Sequence, residues 1–258
     1  MIFILNLDKL LQISTYAGRI MLENGAEIYR VEETVVRICH AYGITDTDSF
    51  VTPTGMMVSI SDENTTLSSV KRIKTRGVDL NKIDKVNDLA RRINTDKISL
   101  NDFYDALLTI ENEKKYSNKL IVFISGLSAA SFSITYGGNF SDFFAAFFIG
   151  YIIKLMSLKF QRLSINDFFI NFTGGFVVSL LAVVFHLIIP TTNIDKTIIG
   201  AIMLLVPGMA ITNAIRDIIA GDFLAGLTKG AEAFLIAVSI AAGSGILLSF
   251  WINTIGGL

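Results

Sequence analysis

The sequence predicts an α+β soluble N-terminal domain followed by an all-α polytopic membrane domain, on two observations. Of the 45 Lys, Arg, Asp and Glu residues in this 258-residue chain, 32 lie in residues 1–116 and 13 in 117–258. The apolar stretches before residue 117 are short and periodic, whereas those after it are long enough to cross a bilayer. The chain therefore divides into a charged domain, 1–116, and a helical membrane domain, 117–258. Charged residues make up 17% of the whole and hydrophobic ones 52%, against about 25% charged in an average soluble domain. The net charge of −1 gives no global attraction for nucleic acid. A single cysteine, Cys39, excludes an internal disulfide and a Cys-rich zinc site, and nothing implies a cofactor.

In the first domain, Leu5–Leu22 reads as an amphipathic helix with Leu7, Leu10, Leu11, Tyr16, Ala17, Ile20 and Met21 on its apolar stripe. Asp8 and Lys9 interrupt the opening apolar run, and no basic segment precedes it, so it does not read as an export signal. From Ala26, Ile28, Val31, Val35, Ile38 and Tyr42 recur at helical spacing, and Gly43 ends the helix. Its other face carries Glu27, Arg30, Glu33 and Arg37, spaced for Arg30–Glu33 and Glu33–Arg37 pairs or simply for a solvated surface. Phe50 to Ile60 alternate with period two and read as one strand, which Pro53 makes an edge or bulged strand. Asp62–Asn64 supplies a turn and Thr66–Ile73 the hairpin partner. Leu80, Ile83, Val86, Leu89 and Ile93 mark another helix, and Ser99 with Asp102 offers a capping box for a last one through Ile110. Catalytic groupings are sparse here. Cys39 and His40 are neighbours on a helix and point in different directions, so a core Cys beside a surface His is the better account than a nucleophile pair.

In the second domain, spans are expected at about 120–136, 142–158, 167–189, 197–220 and 230–255, the fourth broken at Pro207-Gly208. In the fifth, Ala233, Ala237, Ala241, Gly245 and Ser249 form a small-residue ridge suited to close helix packing. Lys114, Lys115, Lys119, Lys154, Lys159, Arg162, Arg216 and Lys229 fall on one side and Lys196 on the other. The positive-inside rule then places residues 1–116 in the cytoplasm and the C-terminus outside the inner membrane. Asp142 and His186 read as outer-interface residues.

Chemistry is concentrated in the broken segment. Proline removes a backbone donor and glycine weakens the helix, which frees carbonyls where irregular backbone survives only beside protein or water. Asn213, Arg216 and Asp217 follow at spacings of three and four and project to one side. Together with Pro207, Gly208 and Glu232 they form a candidate site for a small anionic or zwitterionic solute. Glu232 is a partner for Arg216 or Lys229, or an interfacial residue. The alternative reading places Arg216 and Asp217 at the cytoplasmic interface, with Pro207 as a packing kink.

Gly25-Ala26-Glu27-Ile28-Tyr29-Arg30-Val31-Glu32-Glu33-Thr34, Thr52-Pro53-Thr54-Gly55, Arg76-Gly77-Val78 and Asn87-Asp88-Leu89 resemble motifs of the threonine/serine exporter family. Leu205-Val206-Pro207-Gly208, Asn213-Ala214-Ile215-Arg216-Asp217 and Gly221-Asp222 continue the resemblance, which covers nearly the whole chain. It is nearer to the short, split branch of YjjP-like proteins, with one soluble domain and five spans. The resemblance implies export of threonine and serine, or of succinate in the split branch, with a separate small membrane protein similar to YjjB supplying the remaining helices. It marks Glu27, Arg30, Glu33, Thr52, Thr54 and Gly55 as a soluble-domain motif without assigning them a role. The expected partners are the lipid bilayer, that second protein, a small-molecule solute and further copies of the chain. Two other readings fit the same residues: a membrane-tethered enzyme of hydrolase type, or a regulatory or assembly subunit whose soluble domain senses a ligand.

Overall fold

The computed structural model describes residues 6–63, 65–113 and 116–255. Leu5, Asn64, Lys114 and Lys115, which the sequence assigns to a helix start, a turn and a basic flank, lie outside the described residues. The chain packs as two units, Met1–Lys114 with Ala210–Gly230, and Lys115–Met209 with Ala231–Leu258.

The first unit opens with α1 (Leu7–Glu23) and α2 (Ile28–Ala41), followed by β1 (Asp46–Thr52), β2 (Gly55–Ser61), β3 (Thr66–Arg72), α3 (Leu80–Asp96) and α4 (Leu100–Glu111). The Asn6 side chain accepts from the Lys9 N–H to start α1, and the Ser99 hydroxyl accepts from the Asp102 N–H to start α4, which satisfies donors a helix cannot pair internally. The stripe Ile28, Val31, Val35 and Ile38 is fully buried against Leu10, Ile20, Met21, Met56 and Ile60. Phe50–Ile60 is two strands rather than the single strand expected. Pro53 and Thr54 form the turn of a hairpin that pairs Phe50 with Met57, and β3 adds to β2 in an antiparallel sheet of order β1-β2-β3. A proline placed at a turn leaves no gap in the hydrogen-bond ladder.

The second unit contains α5 (Asn118–Thr135), α6 (Phe140–Arg162), α7 (Asp167–Ile188) and α8 (Ile194–Ile202), and most of α10 (Phe223–Ile255). Among the described residues, four helices have the length and hydropathy to cross a membrane: Asn118–Thr135, Phe140–Arg162, Asp167–Ile188 and Phe223–Thr254. The expected fourth segment is broken next to Pro207-Gly208, as its sequence suggests, into α8 with 9 residues and α9 (Gly208–Ala220) with 13, separated by non-helical residues 203–207. At about 1.5 Å per residue each piece is shorter than the roughly 30 Å hydrocarbon core. Asp142 is buried within the protein. Its carboxylate accepts from the N–H of Asn139 at 2.7 Å and of Asn193 at 2.6 Å, and from the Thr197 hydroxyl at 3.3 Å. It ties the α5–α6 turn to the start of α8.

The small-residue ridge of α10 is not the face that packs within the chain. Ala233 is buried, but Ala237, Ala241, Gly245 and Ser249 are exposed, and the packed face of α10 carries Ser239, Ile240, Gly243, Ser244 and Leu247. A Cβ added to Gly243 would lie 2.0 Å from the Phe172 carbonyl, and one added to Gly175 would lie 2.4 Å from that of Ile240. The Ser244 hydroxyl donates to the Gly175 carbonyl at 3.0 Å. Gly243→Ala should therefore cost about 1–3 kcal/mol through overpacking, seen as a lower melting temperature of the detergent-solubilised protein. Gly245→Ala, whose Cβ meets nothing within 4 Å, should be neutral or slightly stabilising in the same measurement.

Candidate functional site

The α1–α2 turn, residues 24–27, is held from two directions. Gly25 has φ +90°, and an added Cβ would sit 3.0 Å from the Gly77 carbonyl, so both conformation and space require glycine. The Gly77 N–H donates to the Glu23 carbonyl at 2.8 Å and the Asp79 N–H to that of Asn24 at 3.0 Å. The segment leading into α3 is thus fastened to the end of α1.

The other side is formed by α9 and the first turns of α10, all within the same unit. Helix α2 lacks a side-chain cap of its own, since Glu27 at the N-cap makes none. The fully buried Asp217 supplies it: one carboxylate oxygen accepts from the Ile28 N–H at 2.9 Å and the other from the Lys229 ammonium at 2.8 Å. A negative charge there complements the positive end of the α2 dipole. Lys229, also buried, donates in addition to the Ala26 carbonyl at 3.3 Å, and the Asn213 amide donates to the Gly25 carbonyl at 2.8 Å. Asn213 and Asp217, four residues apart on α9, turn the same face inward.

Above this buried layer lies a more open one. The Glu27 carboxylate receives the Arg216 guanidinium at 2.5 Å and the Arg30 guanidinium at 3.3 Å. Glu27 is buried, whereas the Arg216 side chain is 53% exposed. Burial pushes the Glu27 carboxyl up, but a hydrogen bond from its own backbone and the charges of Arg216 and Arg30 outweigh it and hold the group below its usual value. Glu32, on the same helix, goes the other way. Burial raises it, a hydrogen bond from the Val51 N–H at 2.7 Å offsets part of that, and the negative charges of Asp222 and Asp217 add to the rise.

The structure therefore brings together Asn213, Arg216, Asp217, Glu27 and Arg30 from the expected set and adds Lys229 and Glu32. Pro207, Gly208 and Glu232 belong to the other unit. Arg216 pairs with Glu27, and Lys229 with Asp217. Arg30 pairs with Glu27 rather than Glu33, and Glu33 pairs with Arg37. Thr52, Thr54 and Gly55 form the β1–β2 hairpin, in which the Thr52 hydroxyl donates to the Gly55 carbonyl at 3.1 Å and the Thr54 carbonyl accepts from the Ile73 N–H at 2.9 Å. Cys39 is buried, with its thiol pushed up by burial, while the exposed His40 ring contacts the Thr45 carbonyl.

A multi-pass helical membrane protein whose N-terminal α+β portion is fastened to a short helix from the C-terminal half is the class these features define. The family model described as putative threonine/serine exporter matches residues 12–251, and the chain belongs to that family. It is 24% identical over 237 residues, 90% of each chain, to the probable succinate transporter subunit YjjP of Klebsiella aerogenes. It is 25% identical over 240 residues, 91% of each, to the protein of that name in Escherichia coli K12. Against the probable threonine/serine exporter of Mycobacterium tuberculosis, identity is 23% over 250 residues, covering 95% of this chain and 46% of that protein. No solved structure gives a significant match.

Removing one member of the buried pair leaves an uncompensated charge. Asp217→Ala and Lys229→Met should each destabilise the protein by about 3–5 kcal/mol, and the double variant by clearly less than the sum, as read from denaturant unfolding of the full chain in detergent. Glu27 has a depressed folded pKa, so its stabilisation is present above the unfolded value of about 4.3 and lost as pH falls through the lower folded value. Glu27→Gln should remove this acid-dependent loss, giving a flatter stability curve below about pH 4 than the parent protein.

Proposed function

We propose that this chain is one subunit of an inner-membrane efflux transporter for small carboxylate-bearing solutes, either threonine and serine or a dicarboxylate such as succinate. Its partner is a separate small membrane protein of the YjjB type. The observation that carries this reading is the half-exposed Arg216 guanidinium, held on a buried carboxylate at the start of α2. Guanidinium binds carboxylates through paired hydrogen bonds. A solute carboxylate competes with Glu27 for Arg216, so binding exchanges one ion pair for another instead of stripping a charge of its partner. The names of the relatives, a succinate transporter subunit and a threonine/serine exporter, support both solute classes. In the topology we favour, Lys119 near the start of α5 and Lys154, Lys159 and Arg162 at the end of α6 face the cytoplasm. The α+β portion lies on that side and the C-terminus outside.

A second reading, a ligand-sensing regulatory subunit, draws support from Asn213 and Asp217, which are occupied by the α1–α2 turn rather than open to a solute. Reconstitution separates the two. Proteoliposomes containing the chain and its partner, loaded with labelled threonine, serine or succinate, should release at least one of them. Arg216→Ala should abolish release without changing insertion or subunit assembly, and Arg216→Lys should retain a fraction of it. Undiminished efflux by Arg216→Ala would take Arg216 out of the solute path and favour the regulatory reading.

A further inference from the structure

The outer face of the three-stranded sheet carries a row of apolar side chains that the core does not use. Phe50 on β1, Met57 on β2 and Val70 on β3 are cross-strand partners in register, and they are 56%, 50% and 71% exposed. Their neighbours along β1 and β2, Val51, Met56 and Val58, point to the other face and are buried, as the period of two requires. The row borders a groove of about 500 Å³ at the Pro53-Thr54 hairpin end, lined also by Thr52, Gly55 and Arg72.

Charge is sorted along the same strands. At the far end lie Asp46 and Asp48 of β1, with Asp62 and Glu63 following β2. At the hairpin end β3 finishes in Lys71 and Arg72, with Lys74 and Arg76 just beyond, and between Glu63 and Asp79 the sequence has no acidic residue. Six residue steps of strand separate the two ends by about 20 Å. This exceeds the roughly 8 Å Debye length at physiological salt, so the far-end acids do not cancel the bases; Glu32, near the hairpin end, accepts from the Val51 N–H. An apolar row bordered by cations on one side matches an anionic lipid interface. Exposed apolar side chains enter the headgroup boundary while Lys and Arg remain with the phosphates.

We propose that the hairpin end of this sheet, through Phe50, Met57, Val70 and Arg72, docks on the anionic headgroup surface of the bilayer in which the protein resides. Docking of this kind explains the placement of Thr52-Pro53-Thr54-Gly55, the tight turn that brings the apolar row to the end of the domain. It does not depend on which solute is exported.

The test uses the full-length chain in lipid nanodiscs. The native Cys39 is buried, so Met57→Cys can be labelled selectively with an environment-sensitive fluorophore, and Cys39→Ser serves as the background control. Nanodiscs of phosphatidylcholine alone are compared with an equal mixture containing phosphatidylglycerol, each with and without a headgroup-level spin-labelled lipid. The expected result is blue-shifted emission and strong quenching by the spin-labelled lipid in the anionic mixture, and much less of both in phosphatidylcholine. Arg72→Glu combined with Lys74→Glu, both at exposed positions, should weaken docking by at least about five-fold while leaving the size-exclusion profile unchanged. A water-exposed spectrum in both lipids would overturn the proposal, as would equal quenching in both. So would a blue shift without lipid quenching, a sign of protein cover; disulfide capture between two copies at Met57→Cys would then identify that cover as a second chain.

Discussion

The first unit depends on one buried carboxylate. Asp217 comes from α9, almost 190 positions beyond the N–H it caps, and completes the N-terminus of a helix that has no side-chain cap of its own. Lys229 neutralises the same group. Burying either charge alone is costly, and the pair is tolerable because every oxygen and the ammonium find partners at once. Those partners are backbone atoms of Ala26 and Ile28, so the pair's stability is conditional on the α1–α2 turn being correctly formed. Gly25 and Gly77 in turn set that turn's shape. Three stretches distant in sequence thus specify one another.

This interdependence explains what could be read from the sequence and what could not. Periodicity identified the buried stripe of α2 because Ile28, Val31, Val35 and Ile38 face one continuous core. The break after α8 was legible because proline has no N–H to give. Arg30 was harder, since Glu27 and Glu33 lie three residues to either side of it and spacing does not choose between them. Glu27 prevails where Arg216 completes its environment, a tertiary fact. Lys229 passed as an interfacial lysine because its pairing with Asp217 depends on the reversal between α9 and α10. Pro53 misled for a local reason: alternation continues through a two-residue hairpin turn almost unbroken, so a single long strand and a hairpin look alike.

In the second unit, close helix approach replaces hydrophobic contrast, which is weak between helices already surrounded by apolar material. Glycine and serine achieve this where backbone meets backbone, at Gly175, Gly243 and Ser244. Spacing alone pointed to a neighbouring face of α10. Small residues at four-residue intervals occur on more than one face of that helix, and only the position of α7 distinguishes them.

Helix α9 has an inverted character: Asn213 and Asp217 face inward, while Ile211, Ile215 and Ile219 face outward. A fragment containing only residues 1–116 would therefore be an incomplete folding unit, however soluble its composition. It would expose the Ile28 N–H and the Gly25 and Ala26 carbonyls without the groups that satisfy them, and leave the Glu27 carboxylate with Arg30 but without Arg216. The boundary drawn by charge and hydropathy follows composition, whereas the compact unit takes in a piece of chain that follows three long apolar helices in the sequence.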